Sequence, residues 1–298
     1  MKINFIFRNC IICQKNPADS WEHVMPESIG GRLQIKALCA GCNKTLGSEL
    51  ISKVKEDPSI RLAVRNLRDE IPELFELIEN GQLYNATDQN KNTVRLKYKK
   101  SKLEVLTQKQ KNGSLNLRIK NIKQMLKKEG LSENEIADKI QFLQESEPNK
   151  TIQLSKTIEI GKWSIGQIFP SLQSPPLNER FVALMAYEFL SLLLGDLIYE
   201  NQFHFMREFI RNGQQSTKPD IGHFMTRSYS TEHTIYPELQ ETETIINIIL
   251  FGWLWYKVHI KGFRLASSDF VYLEDLKNKR PLYAKSVEEA KQSIWYEF

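Results

Sequence analysis

From Ala40 onward, Leu46, Leu50 and Val54 recur at three-to-four-residue spacing, the period of a helix with one buried face. Asp57-Pro58 ends it. Just before it, Leu33 and Ile35 alternate with polar neighbours as a short strand does, behind a turn marked by Pro26 and Gly30-Gly31. Short helices are predicted at 60–67 and 72–78, where Pro72 suits a first helical turn and Gly81 a stop. Between 93 and 119 the period becomes two. Val94, Leu96 and Tyr98 alternate with Arg95, Lys97 and Lys99, and Leu115, Leu117 and Ile119 alternate with Asn116, Arg118 and Lys120. Asn112-Gly113 is a hairpin turn before the second run.

Helices are expected next at 122–129 and 133–145, the second opened by a capping box of Ser132 and Glu135. Strands are expected at 151–169, and Ser174-Pro175-Pro176 punctuates the chain. A long apolar helix over 178–199 follows, then a shorter one over 203–211 closed by Asn212-Gly213. Strand-like runs lie at 244–250, 254–260 and 271–273, and a last helix at 286–295. The fold class is therefore α+β: a small N-terminal module over 1–57, then a larger mixed body over 58–298 with a sub-boundary near 170–176.

Hydrophobic content of 41% and charge of 26% are those of an ordinary globular chain. The apolar run 181–199 is interrupted by Glu188 and Asp196, so it reads as a core helix and no membrane partner is expected. Residues 1–8 carry no signal-peptide pattern, and the expected compartment is cytoplasmic, where cysteines favour metal over disulfides. The net charge of +5 is unevenly spread. Residues 1–128 hold 24 Lys/Arg against 13 Asp/Glu, and 91–128 hold 13 basic residues against Glu104 alone. A surface this basic is a candidate polyanion contact as well as a solvated face.

All four cysteines lie in the first 42 residues as two C-x2-C pairs, Cys10/Cys13 and Cys39/Cys42, separated by 25 residues. Two such knuckles supply four thiolates to one structural Zn²⁺. Between them stands Glu22-His23, and Asn43 follows the last cysteine. Metal-dependent phosphodiester cleavage needs a base to activate water and a cation to stabilise developing negative charge. His23 is the natural base, since imidazole titrates near neutrality. A carboxylate and an amide oxygen, Glu22 and Asn43, suit hard cations such as Mg²⁺ or Mn²⁺.

At these residues the chain resembles the HNH (ββα-metal, treble-clef) endonucleases, and within them the zinc-knuckle branch typified by phage endonuclease VII. That branch shows C-x2-C, an acid-His pair, then C-x2-C-N. Pro26, Gly30, Gly31 and Leu46-Gly47 are also similar to bacterial members. The resemblance implies a ββα-metal module with structural zinc on the cysteines, His23 as general base, and Glu22 and Asn43 as ligands of one catalytic Mg²⁺ or Mn²⁺. It further implies hydrolysis of DNA, expected to be double-stranded, to 5′-phosphate and 3′-hydroxyl ends. The acid is Glu22 where Asp is commoner, Gln34 stands near the place of the central Asn, and Asn43 replaces the final His. No further ligand stands at Met25 or Leu46.

Candidate DNA-backbone contacts are Arg32, Lys36 and Lys44 in the module and Arg95, Lys97 and Lys99 in the basic strands. The rest of the chain is expected to regulate, dimerise or select substrate, with an activating ligand or protein partner among the options. A restriction or phage-defence role is the analogy that this arrangement suggests. The rival reading is a non-catalytic zinc finger that binds nucleic acid or protein. Singly, Glu22-His23 fits a polar strand end and Asn43 a helix cap; their joint offsets from both knuckles favour catalysis. Glu232-His233 repeats the acid-His pair without knuckles, and the aromatics of 251–256 are expected in a core.

Overall fold

The computed structural model describes residues 2–81, 83–87, 93–99, 102–105, 108–109, 115–116, 126–127, 130–146 and 177–295. The chain divides into two compact units, Met1–Ile78 with Trp163–Phe298, and Glu79–Lys162 between them.

The first unit opens with strand β1 (Lys2–Ile6), then β2 (Ser20–His23) and β3 (Gln34–Leu38). β3 lies centrally, parallel to β1 and antiparallel to β2, and the helix Ala40–Leu46 follows it. This is the ββα order that the resemblance to HNH endonucleases implies. Turn chemistry fixes the β2–β3 connection. Gly30 takes φ +98°, and a Cβ on Gly31 would stand 2.0 Å from the Met25 carbonyl oxygen, so neither position accepts a side chain. The helix after β3 continues through a π-turn, Gly47–Ile51, into Ser52–Val54, and buries Leu46, Leu50 and Val54 as their spacing predicts. Asp57 then caps the helix Pro58–Asn66 by accepting from the Ser59 N–H at 2.9 Å.

After residue 176 comes the long helix Glu179–Leu194, capped by Asn178, with a 3₁₀ turn Gly195–Tyr199 at its end. It is the one stretch among the described residues long and apolar enough to cross a membrane, and 67% of its most apolar window is buried inside the fold. It packs on a six-stranded antiparallel sheet ordered β14-β13-β10-β11-β12-β9. The strands are β9 (Asp220–Met225), β10 (Glu232–Leu239), β11 (Glu243–Leu250), β12 (Leu254–Lys261), β13 (Val271–Asp275) and β14 (Arg280–Ala284). β9, β10 and β14 lie outside the strands expected from the sequence, and in β10 Pro237 interrupts the apolar run. β13 pairs only with Glu232 to Ile235, so Pro237 sits beyond that ladder and its missing N–H costs nothing there. Of the aromatics expected in a core, Phe251, Trp253 and Tyr256 are buried, while Trp255 on β12 is only half-buried.

One hydrophobic core runs through this unit. Phe7, Ile11, Val24, Met25, Ile29 and Leu33 belong to the same buried cluster as Phe181, Tyr187, Phe203, Tyr272 and Leu276. The overall class is α+β: an N-terminal module with a four-cysteine cluster, followed by a larger body.

The second unit holds an antiparallel sheet in the order β4 (Leu83–Thr87), β5 (Thr93–Lys99) and β6 (Lys102–Val105). β5 is the first alternating basic run. The pair β7 (Gln108–Lys109) and β8 (Leu115–Asn116) is antiparallel, while its Asn112-Gly113 turn lies outside the described residues. So do the strands expected at 151–169 and most of the helix at 122–129. In the helix Glu133–Ser146 the capping box is formed. The Ser132 N–H donates to Glu135 Oε2 at 2.8 Å, and the Glu135 N–H to Ser132 Oγ at 3.4 Å.

Candidate functional site

The two knuckles bring all four sulfurs within 4.8 Å of one another. Cys13 Sγ and Cys39 Sγ stand 3.8 Å apart, about the 3.8 Å edge of a tetrahedron with ~2.3 Å metal–sulfur bonds and too long for a disulfide. Cys39 caps the helix, its sulfur accepting from the Cys42 N–H at 3.4 Å, and Asn16 Nδ2 approaches it at 3.8 Å. Burial pushes the Cys10 thiol up to about 11, and burial with the neighbouring cysteines raises Cys42. Burial also raises Cys13, but the backbone N–H groups of Asn16 and Lys15 outweigh it and bring this thiol to about 7. Four crowded thiols, two buried and two half-buried, resist joint ionisation unless a cation neutralises them, so the donor set fits a tetrahedral metal ion.

The Glu22-His23 pair closes β2, opposite Ile35 and Gln34. The ladder is irregular between Ser20 and Glu22, a bulge of the kind that re-aims side chains beside functional sites. Both residues line one open cleft of about 550 Å³. Its other walls are Pro26, Glu27 and Ser28 from the β2–β3 connection, and Gly47, Ile51, Ser52, Lys53, Lys55 and Glu56 from the helix. The π-turn thus forms one wall, a common use of π-bulges at functional sites.

Glu22 is 7% exposed, and burial pushes its carboxyl up to about 7 against the opposing pull of the His23 backbone N–H and the Asn43 side chain. His23 is half-buried. Burial lowers its imidazole below the ordinary value, with Glu27 pulling the other way. Gln34 Nε2 lies 2.7 Å from His23 Nε2, so the residue nearest the central Asn position does contact the candidate base.

Asn43 is the fourth residue of its helix, not its cap; Cys39 fills that role. Its Nδ2 donates to Ser20 Oγ at 2.7 Å and the Trp21 carbonyl at 3.0 Å, tying the helix to β2. With the nitrogen so engaged, Oδ1 is the free end, and it lies 4.0 Å from where a Cβ on Gly47 would stand. Gly47 is a cleft residue, so Asn43 stands immediately behind that wall.

The candidate backbone contacts fall elsewhere. Arg32 Nη1 pairs with Glu274 Oε1 at 2.8 Å, and its N–H donates to Glu274 Oε2 at 3.0 Å. It lines a second cavity of about 580 Å³ with Glu70, Leu77 and Lys277. Lys36 is half-buried on β3 and Lys44 is exposed; neither is a wall residue of the cleft. Arg95, Lys97 and Lys99 lie on β5 in the second unit. The cleft's own cations are Lys53 and Lys55, which sequence reasoning missed. A spacing signal existed: Asn43, Gly47, Ile51 and Lys55 recur every four residues and share a helix face.

Residues 10–58 match the HNH endonuclease family. The match covers under a fifth of the chain and spans both knuckles, Glu22, His23 and Asn43. No curated protein and no solved structure matches the chain. The HNH match is thus confined to the N-terminal module. His233, of the second acid-His pair, is fully buried in the body beyond it.

Proposed function

We propose that this protein is a metal-dependent endonuclease that hydrolyses phosphodiester bonds of double-stranded DNA in the Glu22–His23 cleft. The observation that carries the reading is convergence. A buried carboxylate and a half-buried imidazole share one open cleft, with an amide oxygen behind its wall and two lysines on its rim. The match of residues 10–58 to HNH endonucleases supports the same chemistry.

In this reading the cysteines hold Zn²⁺ as scaffold, and Glu22 and Asn43 Oδ1 offer hard oxygens for Mg²⁺ or Mn²⁺. That cation, when bound, stabilises negative charge on the phosphate and the leaving oxygen. His23, its charged form disfavoured by burial, takes the proton from the attacking water. Gln34 orients the ring, its amide N–H donating to His23 Nε2 at 2.7 Å. Lys53 and Lys55 supply positive charge to the DNA backbone beside the scissile bond. The cytoplasm is the compartment that this chemistry fits, and a restriction or phage-defence role is an analogy to other small nuclease modules on large bodies.

Plasmid nicking in Mg²⁺ or Mn²⁺ by wild type and His23→Ala tests the proposal. A fall of about 10²–10⁴-fold in the variant, with zinc retained, is expected. Equal rates, or no nicking by either protein across metals and DNA forms, would leave the non-catalytic zinc-finger reading in its place.

A further inference from the structure

The second cavity, of about 580 Å³, is built by three stretches that meet inside the first unit. They are the 26–31 connection of the HNH module, the helix Pro72–Glu79, and the turn between β13 and β14. A Cβ on Gly30 would stand 2.5 Å from Leu276 Cδ2, so the bare glycine lets that leucine close on the module, with Leu74 beside it. Lys279 Nζ donates to Glu73 and ties the turn to the helix. The helix buries Ile78 in the core, while Leu77, on the cavity wall, is 52% exposed. A large apolar side chain held in a trough with a charged rim marks an interaction site.

The walls narrow the choice of occupant. The trough is open to solvent along one side, where a small molecule would stay half wet. A helix laid along it covers the apolar walls in full. Arg32 is committed to Glu274 and Lys279 to Glu73, which leaves Glu27, Glu70 and Lys277 on the walls without an ion-pair partner among the described residues. Two acids against one base favour a cationic ligand and repel phosphate. The helix carries the same sign: residues 69–79 hold five Asp/Glu and no Lys or Arg, in a chain of net charge +5.

We propose that this trough docks an amphipathic helix of a partner protein, its leucines against Leu74, Leu77 and Leu276 and its lysines or arginines against Glu27 and Glu70. Glu27 also lines the Glu22–His23 cleft, so the docked helix touches a wall of the candidate nuclease site. The docking does not depend on the cleavage chemistry, and its test uses neither DNA nor a divalent cation.

Two fluorescent peptides of about 14 residues, roughly four helical turns, serve as probes. Both carry leucines at the spacing of one helical face, flanked by lysines in one peptide and by glutamates in the other. Anisotropy with the full-length, zinc-loaded chain should show the Leu–Lys peptide binding about tenfold or more tighter than the Leu–Glu peptide. Leu77→Gln should weaken the Leu–Lys peptide about tenfold, as loss of an apolar anchor does. Glu70→Lys should weaken it too and tighten the Leu–Glu peptide. Both altered side chains are exposed, so melting temperature and zinc content should hold. Equal affinity for the two peptides, tighter binding of the Leu–Glu peptide, or binding of neither would overturn the proposal. So would Leu–Lys binding that either variant leaves unchanged, which would put the peptide elsewhere. A two-chain mass in solution that Leu77→Gln returns to one would give the trough to a second copy of the chain instead.

Discussion

His233 Nε2 lies 2.9 Å from the carbonyl oxygen of Ile29, across 204 residues of sequence. Its Nδ1 accepts the Phe251 N–H at 3.0 Å, so Nε2 carries the proton and the ring is neutral. The bond pins the 26–31 connection, whose Pro26, Glu27 and Ser28 line the cleft, to strand β10 of the body. Burial holds this imidazole down at about 4.

A pH dependence of stability follows from that burial. The unfolded chain takes up its proton near pH 6.5, before the folded one does, so stability present above that pH is lost as pH falls toward 4. Below 4 this contribution stays lost. The full loss is about 3 kcal/mol. Urea midpoints measured from pH 4 to 7 should fall with acidification in wild type. They should fall less steeply in His233→Gln, on a lower overall stability. Parallel profiles for the two proteins would refute the assignment.

Zinc removal should propagate beyond the module. Phe7, Ile11 and Ile29 share a core with Phe181 and Tyr272, so unravelling the knuckles exposes the long helix as well. Elemental analysis is expected to give one zinc per chain. A chelator, or Cys13→Ser, should lower the melting temperature of the unit containing residues 177–295, read by circular dichroism, and not merely loosen residues 10–58. A chelated protein with an unchanged melt would contradict this.

Gln34→Ala should separate positioning from binding. The 2.7 Å contact to His23 Nε2 is the one that selects the ring's tautomer. Its loss should lower kcat roughly tenfold or more, the effect of freeing a base from the group that fixes its tautomer, with KM for DNA little changed. Gln34→Asn should recover less than half of the lost rate, because the shorter side chain falls short of the ring. A rise in KM at constant kcat would place Gln34 in DNA binding instead.

Lys53 and Lys55 are expected to differ from Arg32 in kind. Lys53→Ala/Lys55→Ala should weaken DNA binding and reduce the salt dependence by about 2 in the log–log slope, near 0.9 per phosphate contact. Folding should be unaffected. Arg32→Ala instead strips its partner from the fully buried Glu274, costing about 2 kcal/mol of stability after allowance for the partly exposed guanidinium. Fluorescence anisotropy of labelled duplex DNA without divalent cation, paired with urea melts, distinguishes the two behaviours. An unchanged slope in the lysine variant would remove those residues from the interface.

Much of the local order is legible in the sequence because it is written locally. C-x2-C spacing closes a knuckle whatever surrounds it, Asn178 and Asp57 cap the helices they precede, and Leu46, Leu50 and Val54 mark a buried helical face. Pro237 hid β10 because its harmlessness depends on where β13 stops pairing, which is a property of the sheet.

The sequence by itself determined the ββα frame, the four-cysteine cluster, and which polar residues lie within reach of one another in the first 57 residues. Only the tertiary structure decided what those residues face. Arg32 looked like a DNA contact and meets Glu274, 242 positions away; Glu188 looked like an interruption of an apolar helix and is buried all the same. Spacing fixes neighbours within a turn or a strand. Which buried charge meets which is settled by how the chain's distant parts share one core, and no period along the sequence records that choice.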